Sequence, residues 1–230
     1  SKVIPGNGIS HYKYIWNPQL GKNGGYSTLP FNQEQIVDPY TSIILHSDSL
    51  NNKEILFTEA AKSIIWSNEQ VVDYEEKNGY YAQLDLLHNN KLQDRLIIRE
   101  QSGAKNSKDL YDAVKLLNPG INLYSRTADN KKLSVDSRVF SEQTNIQLEL
   151  SNLQNGNYIL KAENAFMPVS LKLVVYDNYT SQQMSLQKDS SLSFSITNDS
   201  ASRSPNRFYI AKWAPKAAAM ITNLLTVKIF

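Results

Sequence analysis

Ser170-Leu171-Lys172-Leu173-Val174-Val175-Tyr176-Asp177, Ser191-Leu192-Ser193-Phe194-Ser195-Ile196 and Arg207-Phe208-Tyr209-Ile210 decide the fold of this chain. In each, an apolar side chain returns at every second position: Leu171, Leu173 and Val175, then Leu192, Phe194 and Ile196, then Phe208 and Ile210. Successive side chains of a strand point to opposite faces, so a period of two marks strands with one dry face. The breaks at Asp177-Asn178, Lys188-Asp189-Ser190 and Asn198-Asp199-Ser200 are turn formers. Strands joined by such short polar breaks predict an antiparallel meander or Greek key, the usual content of a β-sandwich. They also predict that these eight apolar residues line one core.

The same pattern extends upstream. Leu84 and Leu86 alternate before Asn89-Asn90, and Leu92, Asp94 and Leu96 follow it, which predicts a hairpin turning at the two asparagines. Further strands are expected at residues 41–46, 54–57, 121–125, 132–135, 145–150, 156–162 and 224–230. Residues 59–66 fit either a helical turn or the approach to a strand, and 73–79 a solvated loop. The best helical candidate is Ser107 to Leu117, with Ser107 as cap, Leu110, Val114 and Leu117 on one face, and Asn118-Pro119-Gly120 as the stop. The expected fold is therefore all-β, with one or two antiparallel sandwiches of Greek-key or jelly-roll type and at most two short helices. A soft boundary near Gly120 to Arg138 divides the chain into a β-rich region over 1–125, a sandwich unit over 126–213, and a spacer with a final strand over 214–230.

Composition narrows the function classes. The 24 basic and 22 acidic side chains nearly balance, and no cationic block exceeds Lys131-Lys132. Nucleic-acid binding needs clustered cations to displace counterions, so it is not expected. Cysteine is absent, which excludes disulfides, thiolate catalysis and cysteine zinc sites. No apolar run is long enough to span a bilayer, so membrane insertion is not expected. Ser1-Lys2-Val3 does not open a signal peptide and reads as a cut inside a larger precursor.

Several segments, taken in order, resemble a block found in large secreted and surface proteins of Bacteroidota. They are Asp94 to Arg99, Leu110 to Leu116, Leu123-Tyr124-Ser125, Leu133-Ser134-Val135, Gly156 to Leu160, Val175-Tyr176-Asp177, Ser193 to Asp199 and Arg207 to Ile210. In that family the block lies just before the C-terminal sorting domain read by the type IX secretion system. The likeness covers about residues 80–213 and rests on serial order, since no single motif is specific. Leu225 to Phe230 also looks like the opening strand of such a sorting domain. The resemblance implies an extracellular or cell-surface location, with the neighbouring domains of a precursor and the secretion machinery as partners. It brings no catalytic or ligand-binding residues to transfer.

The residues themselves offer little chemistry. His11, His46 and His88 are far apart in sequence, and none has ligand spacing to a carboxylate. No serine sits in a glycine-framed elbow, and no glycine-rich loop precedes a helix. Asp73, Glu75 and Glu76 fall in a loop, while Asp85, Asp94 and Glu100 are expected on solvent faces. Asp177-Asn178 and Asn198-Asp199 offer calcium-type oxygens, but Asx turns explain the same residues without a metal and are the expected role. Arg95 and Arg207 are expected to pair with a carboxylate such as Asp94, Asp112 or Asp199 on an adjacent strand. The expected function is a non-catalytic module without metal or cofactor, acting as spacer, stalk or adhesion platform. The alternative is a carbohydrate-binding module that stacks a surface glycan on Tyr12, Tyr14, Trp16, Tyr80, Tyr81 and Trp213. An enzyme assembled from scattered carboxylates is the third reading.

Overall fold

The computed structural model describes residues 3–5, 8–31, 33, 41–47, 53–58, 79–141, 143–167 and 170–213. Among these there is no α-helix, and a single 3-10 turn, Ser200–Arg203, is capped by Asp199. The expected strand over 224–230 and the ambiguous 59–66 and 73–78 lie outside the described residues.

The first strands are β1 (Val3–Pro5), β2 (Ile9–Asn17), β3 (Gly25–Pro30), β4 (Ile43–Ser47) and β5 (Ile55–Phe57). They form an antiparallel β1-β5 pair and a three-stranded sheet ordered β3-β2-β4. The remainder builds a larger sheet from β6 (Tyr81–His88), β7 (Lys91–Glu100), β8 (Ala113–Val114), β9 (Asn122–Arg126), β10 (Lys132–Arg138) and β11 (Asn145–Ser151). To these it adds β12 (Gly156–Phe166), β13 (Leu173–Asp177), β14 (Gln182–Ser185), β15 (Ser191–Ile196) and β16 (Phe208–Lys212). Its path is β14-β13-β16-β11-β9-β10-β7-β6-β12-β15, with β8 paired to β10. All of its ladders are antiparallel except β7 with β10. The two ends, β14 and β15, lie beside each other without a ladder, so the sheet rolls up nearly closed. The expected division near residues 120–138 falls inside this roll.

The three diagnostic segments become β13, β15 and β16. β13 and β16 pair directly, whereas β15 pairs with β12 and meets β14 only across the unladdered seam. Their connectivity is thus a Greek-key crossing and not a simple meander. Leu173, Val175, Leu192, Phe194, Ile196, Phe208 and Ile210 all enter the core inside the roll, and Leu171 packs against it partly buried. Phe194 lies 5.5 Å from Tyr158 in a stack and 4.8 Å from Phe208 edge-on, geometries that add to simple area burial.

The hairpin at Asn89-Asn90 forms as expected. Its two-residue loop has φ of 51° and 57°, the left-handed pair that matches strand twist and that asparagine tolerates.

The helix expected over Ser107 to Leu117 does not form. Asp109 accepts the Lys105 and Tyr111 amides, each at 2.9 Å. Asp112 accepts the Asp109 amide at 2.9 Å and reaches across to the Ser137 amide at 2.8 Å. These bonds offer the backbone an alternative to the helical ladder. Val114 is drawn into β8 instead, and Leu110 and Leu117 face solvent.

Candidate functional site

The six aromatic candidates do not assemble into one strip. Tyr12 and Tyr14, from β2, are 2% and 0% exposed and pack with Ile97, Ala113 and Val135, gluing the three-stranded sheet to the roll. Tyr12 also donates its hydroxyl to the Tyr111 carbonyl at 3.0 Å. Neither ring can stack on a sugar. Trp16, one-third exposed, stands edge-on to Tyr26 at 5.1 Å. It covers Gly24, where φ is +76° and a Cβ would lie 2.3 Å from the indole. Tyr80 stacks on the exposed Phe166 at 5.5 Å, and Tyr81 sits opposite Phe166 and Arg99 in the ladder. Trp213, at the end of β16, is covered by the Lys172 ammonium 5.6 Å above its ring. Each surface ring is thus occupied by a different neighbour.

A different surface row comes from register alone. Gln183, Tyr176, Tyr209, Gln147, Arg126 and Lys132 are successive cross-strand partners over β14, β13, β16, β11, β9 and β10. Directly opposed residues share a face, so this row lies on the side away from Val175 and Ile210. Tyr176 and Tyr209 stack at 4.9 Å. Arg126 is held in a two-pronged pair with Glu149, and Lys132 lies 4.7 Å over Tyr124. The signal was present in the sequence: the polar and aromatic halves of the alternating strands mark this face as clearly as the apolar halves mark the core.

Inside the fold, charged residues are consumed as staples. Arg207, 2% exposed, donates two bonds to Asp177 at 2.9 and 2.8 Å and two more to the Ser195 and Ser202 carbonyls. Its guanidinium also lies within 5.0 Å of the Phe194, Phe208 and Tyr179 ring centres. It therefore bridges β13 to β15 beside the seam that no ladder closes. Burial alone pushes the Asp177 carboxyl up, but the bonds from Arg207 and Thr180 and the Arg207 charge together hold it below the usual carboxylate range. Arg95 pairs with Asp85 directly across the β6-β7 hairpin, at 2.7 Å for both bonds. Both arginines thus pair with carboxylates as expected, though not with Asp94, Asp112 or Asp199.

Asp85 and Asp94 are not on solvent faces. Asp94 shares the period of Leu96 and Ile98 and is 1% exposed. It accepts Lys115 Nζ at 2.6 Å on both oxygens, Asn118 Nδ2 at 3.0 Å and the Leu123 amide at 2.6 Å. This knot joins β7 to β9 where the two approach without a ladder. Asp112 is buried too, and desolvation, assisted by the charges of Asp136 and Asp109, raises its carboxyl to about 7 against the pull of its backbone bonds.

At the turns, Asp177 accepts the Tyr179 amide and the Thr180 hydroxyl, each at 2.9 Å, and Asp199 accepts the Ala201 amide at 2.9 Å. Among the described residues no group of three histidine or acidic side chains gathers in metal-binding geometry, and no helix is long and apolar enough to cross a membrane. Comparison with known protein families, curated proteins and solved structures finds no match to this chain.

Proposed function

We propose that this chain is a non-catalytic β module of a secreted or cell-surface protein, working as a spacer, stalk or adhesion platform beside other domains. The observation that carries this reading is the use of buried charges as cross-links: Arg207, paired with Asp177 of β13, also bonds the Ser195 carbonyl of β15 beside the unladdered β14-β15 seam, and Asp94 of β7, paired with Lys115, also accepts the Leu123 amide of β9. A pair held in this way resists shear between strands, because separating the strands strands a charge in a dry core. Export by type IX secretion rests on the serial resemblance of residues 80–213 to the Bacteroidota block. A sorting domain encoded after Phe230 supports that route, and an unrelated domain there removes it.

A second reading, glycan binding, is favoured by the Tyr176-Tyr209-Gln147-Arg126 row, which sets rings, an amide and a guanidinium side by side on the half-buried outer face of the sheet. One screen separates these readings. The purified chain, with and without calcium, is tested against polysaccharide, ester and peptide substrates and on a glycan array. No turnover and no retention is the result expected for a spacer. Retention lost in Tyr209→Ala selects the glycan reading, and turnover abolished by changing one carboxylate overturns both.

A further inference from the structure

The knot at Asp94 holds more than a salt bridge needs. Asp94 Oδ1 touches an amine and a primary amide at once, Lys115 Nζ at 2.6 Å and Asn118 Nδ2 at 3.0 Å. On its far side, Asn118 Oδ1 accepts the Tyr26 amide at 2.8 Å, which polarises the carbonyl toward attack. The Asn118 backbone is clamped by Asn122, whose side chain accepts the Asn118 amide at 2.7 Å and donates to its carbonyl at 3.1 Å. Gly25 lies against the Asn118 side chain so closely that a Cβ there would sit 2.7 Å from Oδ1, which fixes the amide in place. The Lys115 and Asp94 side chains are 2% and 1% exposed, so water is kept from competing as nucleophile.

We propose that Lys115 and Asn118 become joined by an amide bond between Nζ and Cγ, with Asp94 carrying the protons. The Lys115 ammonium gives one proton to Asp94, and the freed Nζ lone pair attacks Asn118 Cγ. The carbonyl π electrons move onto Oδ1, where the Tyr26 amide holds the oxyanion. Asp94 passes its proton to Nδ2 and takes one from Nζ. The C–Nδ2 bond then breaks, the carbonyl re-forms, ammonia leaves, and Asp94 surrenders its proton to it as ammonium. Ammonium-bearing lysine plus carboxamide thus becomes secondary amide plus ammonium ion, with no oxidant or reductant required.

Asp94 is the proton carrier and not the acyl donor for a geometric reason. Lys115 Nζ is equidistant from both carboxylate oxygens, at 2.6 Å, which places it at their open edge and not over the face of the carbon, where attack must come. Lys115 and Asn118 share one short loop and one oxygen of Asp94, so Nζ reaches Cγ by swinging about that oxygen. The product keeps Oδ1 on the Tyr26 amide and ties shut the loop on which the three-stranded sheet rests.

The test is the intact mass of the folded wild-type chain, followed by tryptic mapping. The expected result is a mass lower than the sequence mass by one ammonia, with no cleavage after Lys115 and a fragment in which Lys115 and Asn118 are covalently linked. Asp94→Asn and Lys115→Arg are expected at full mass. A wild-type chain at full mass overturns the proposal. Loss of one water with the link at Asp94 overturns the assignment of the acyl donor. Loss of ammonia that persists in Lys115→Arg places it at another asparagine and also overturns it. Should the variants fail to fold, the linked wild-type fragment alone decides.

Discussion

Arg207 shows how one residue can be both cationic and core. Its charge is satisfied by a two-pronged carboxylate, two further donors by two carbonyls, and its flat faces by three aromatic rings. Removing it leaves Asp177 buried without its partner, so Arg207→Met is expected to cost about 3–5 kcal/mol. The double variant Arg207→Met, Asp177→Leu should recover most of that loss, because no charge then remains in the dry site. Urea denaturation of the three proteins measures both effects, and a double variant no better than the single one would show that the rings and carbonyls dominate. Phe194 stacks against the same guanidinium and sits in the main core. Phe194→Ala is expected to cost about 3–5 kcal/mol through lost burial and a cavity. A loss below about 1 kcal/mol would place that ring outside the cooperative core.

At the scale of elements, the β6-β7 hairpin is the most local structure in the chain. Both turn residues occupy the left-handed region, which disfavours residues with a Cβ by about 1–2 kcal/mol each unless the side chain bonds locally. Replacing Asn89 and Asn90 by alanine should therefore lower stability by about 1–3 kcal/mol, whereas Asn90→Gly should match or slightly exceed the wild type. Thermal unfolding of the two variants is the check, and equal melting points would mean that the strands and not the turn set the register. The failed helix at 107–117 has the opposite character. Its apolar spacing fits a helix, yet Asp109 and Asp112 each take two backbone amides and hold the segment in turns.

At the scale of the whole molecule, two buried carboxylates give stability opposite dependences on pH. Asp112 is raised to about 7, so the folded state holds its proton more tightly than the unfolded chain. Its contribution is complete below the unfolded value near 4 and is lost as pH rises through about 7. Asp177 is lowered, so its contribution is present above the unfolded value and lost as pH falls through its depressed folded value. Maximum stability is expected near pH 4–5 on these two groups. The denaturant midpoint should fall between pH 5 and 8 in the wild type, and that fall should flatten in Asp112→Asn. A midpoint that rises over the same interval would show that Asp112 is held ionised by the Ser137 and Asp109 amides.

Alternation by itself determined the all-β class, the inward set from Leu173 to Ile210 and the Asn89-Asn90 turn, because side-chain direction and turn conformation are properties of neighbouring residues. It also contained, unread, the burial of Asp94, which has the parity of Leu96 and Ile98, and the outer row at Tyr176 and Tyr209. Only the tertiary structure decided that β15 takes its ladder from β12 and not from β14, that the sheet curls until β14 meets β15, and that Tyr12 and Tyr14 face inward while Trp16 does not. The same holds for ion-pair partners: Arg207 finds Asp177, thirty positions away, because β13 and β16 are adjacent. Such pairings depend on which strands become neighbours, and that choice is made by the summed burial of the whole core, which no single segment encodes.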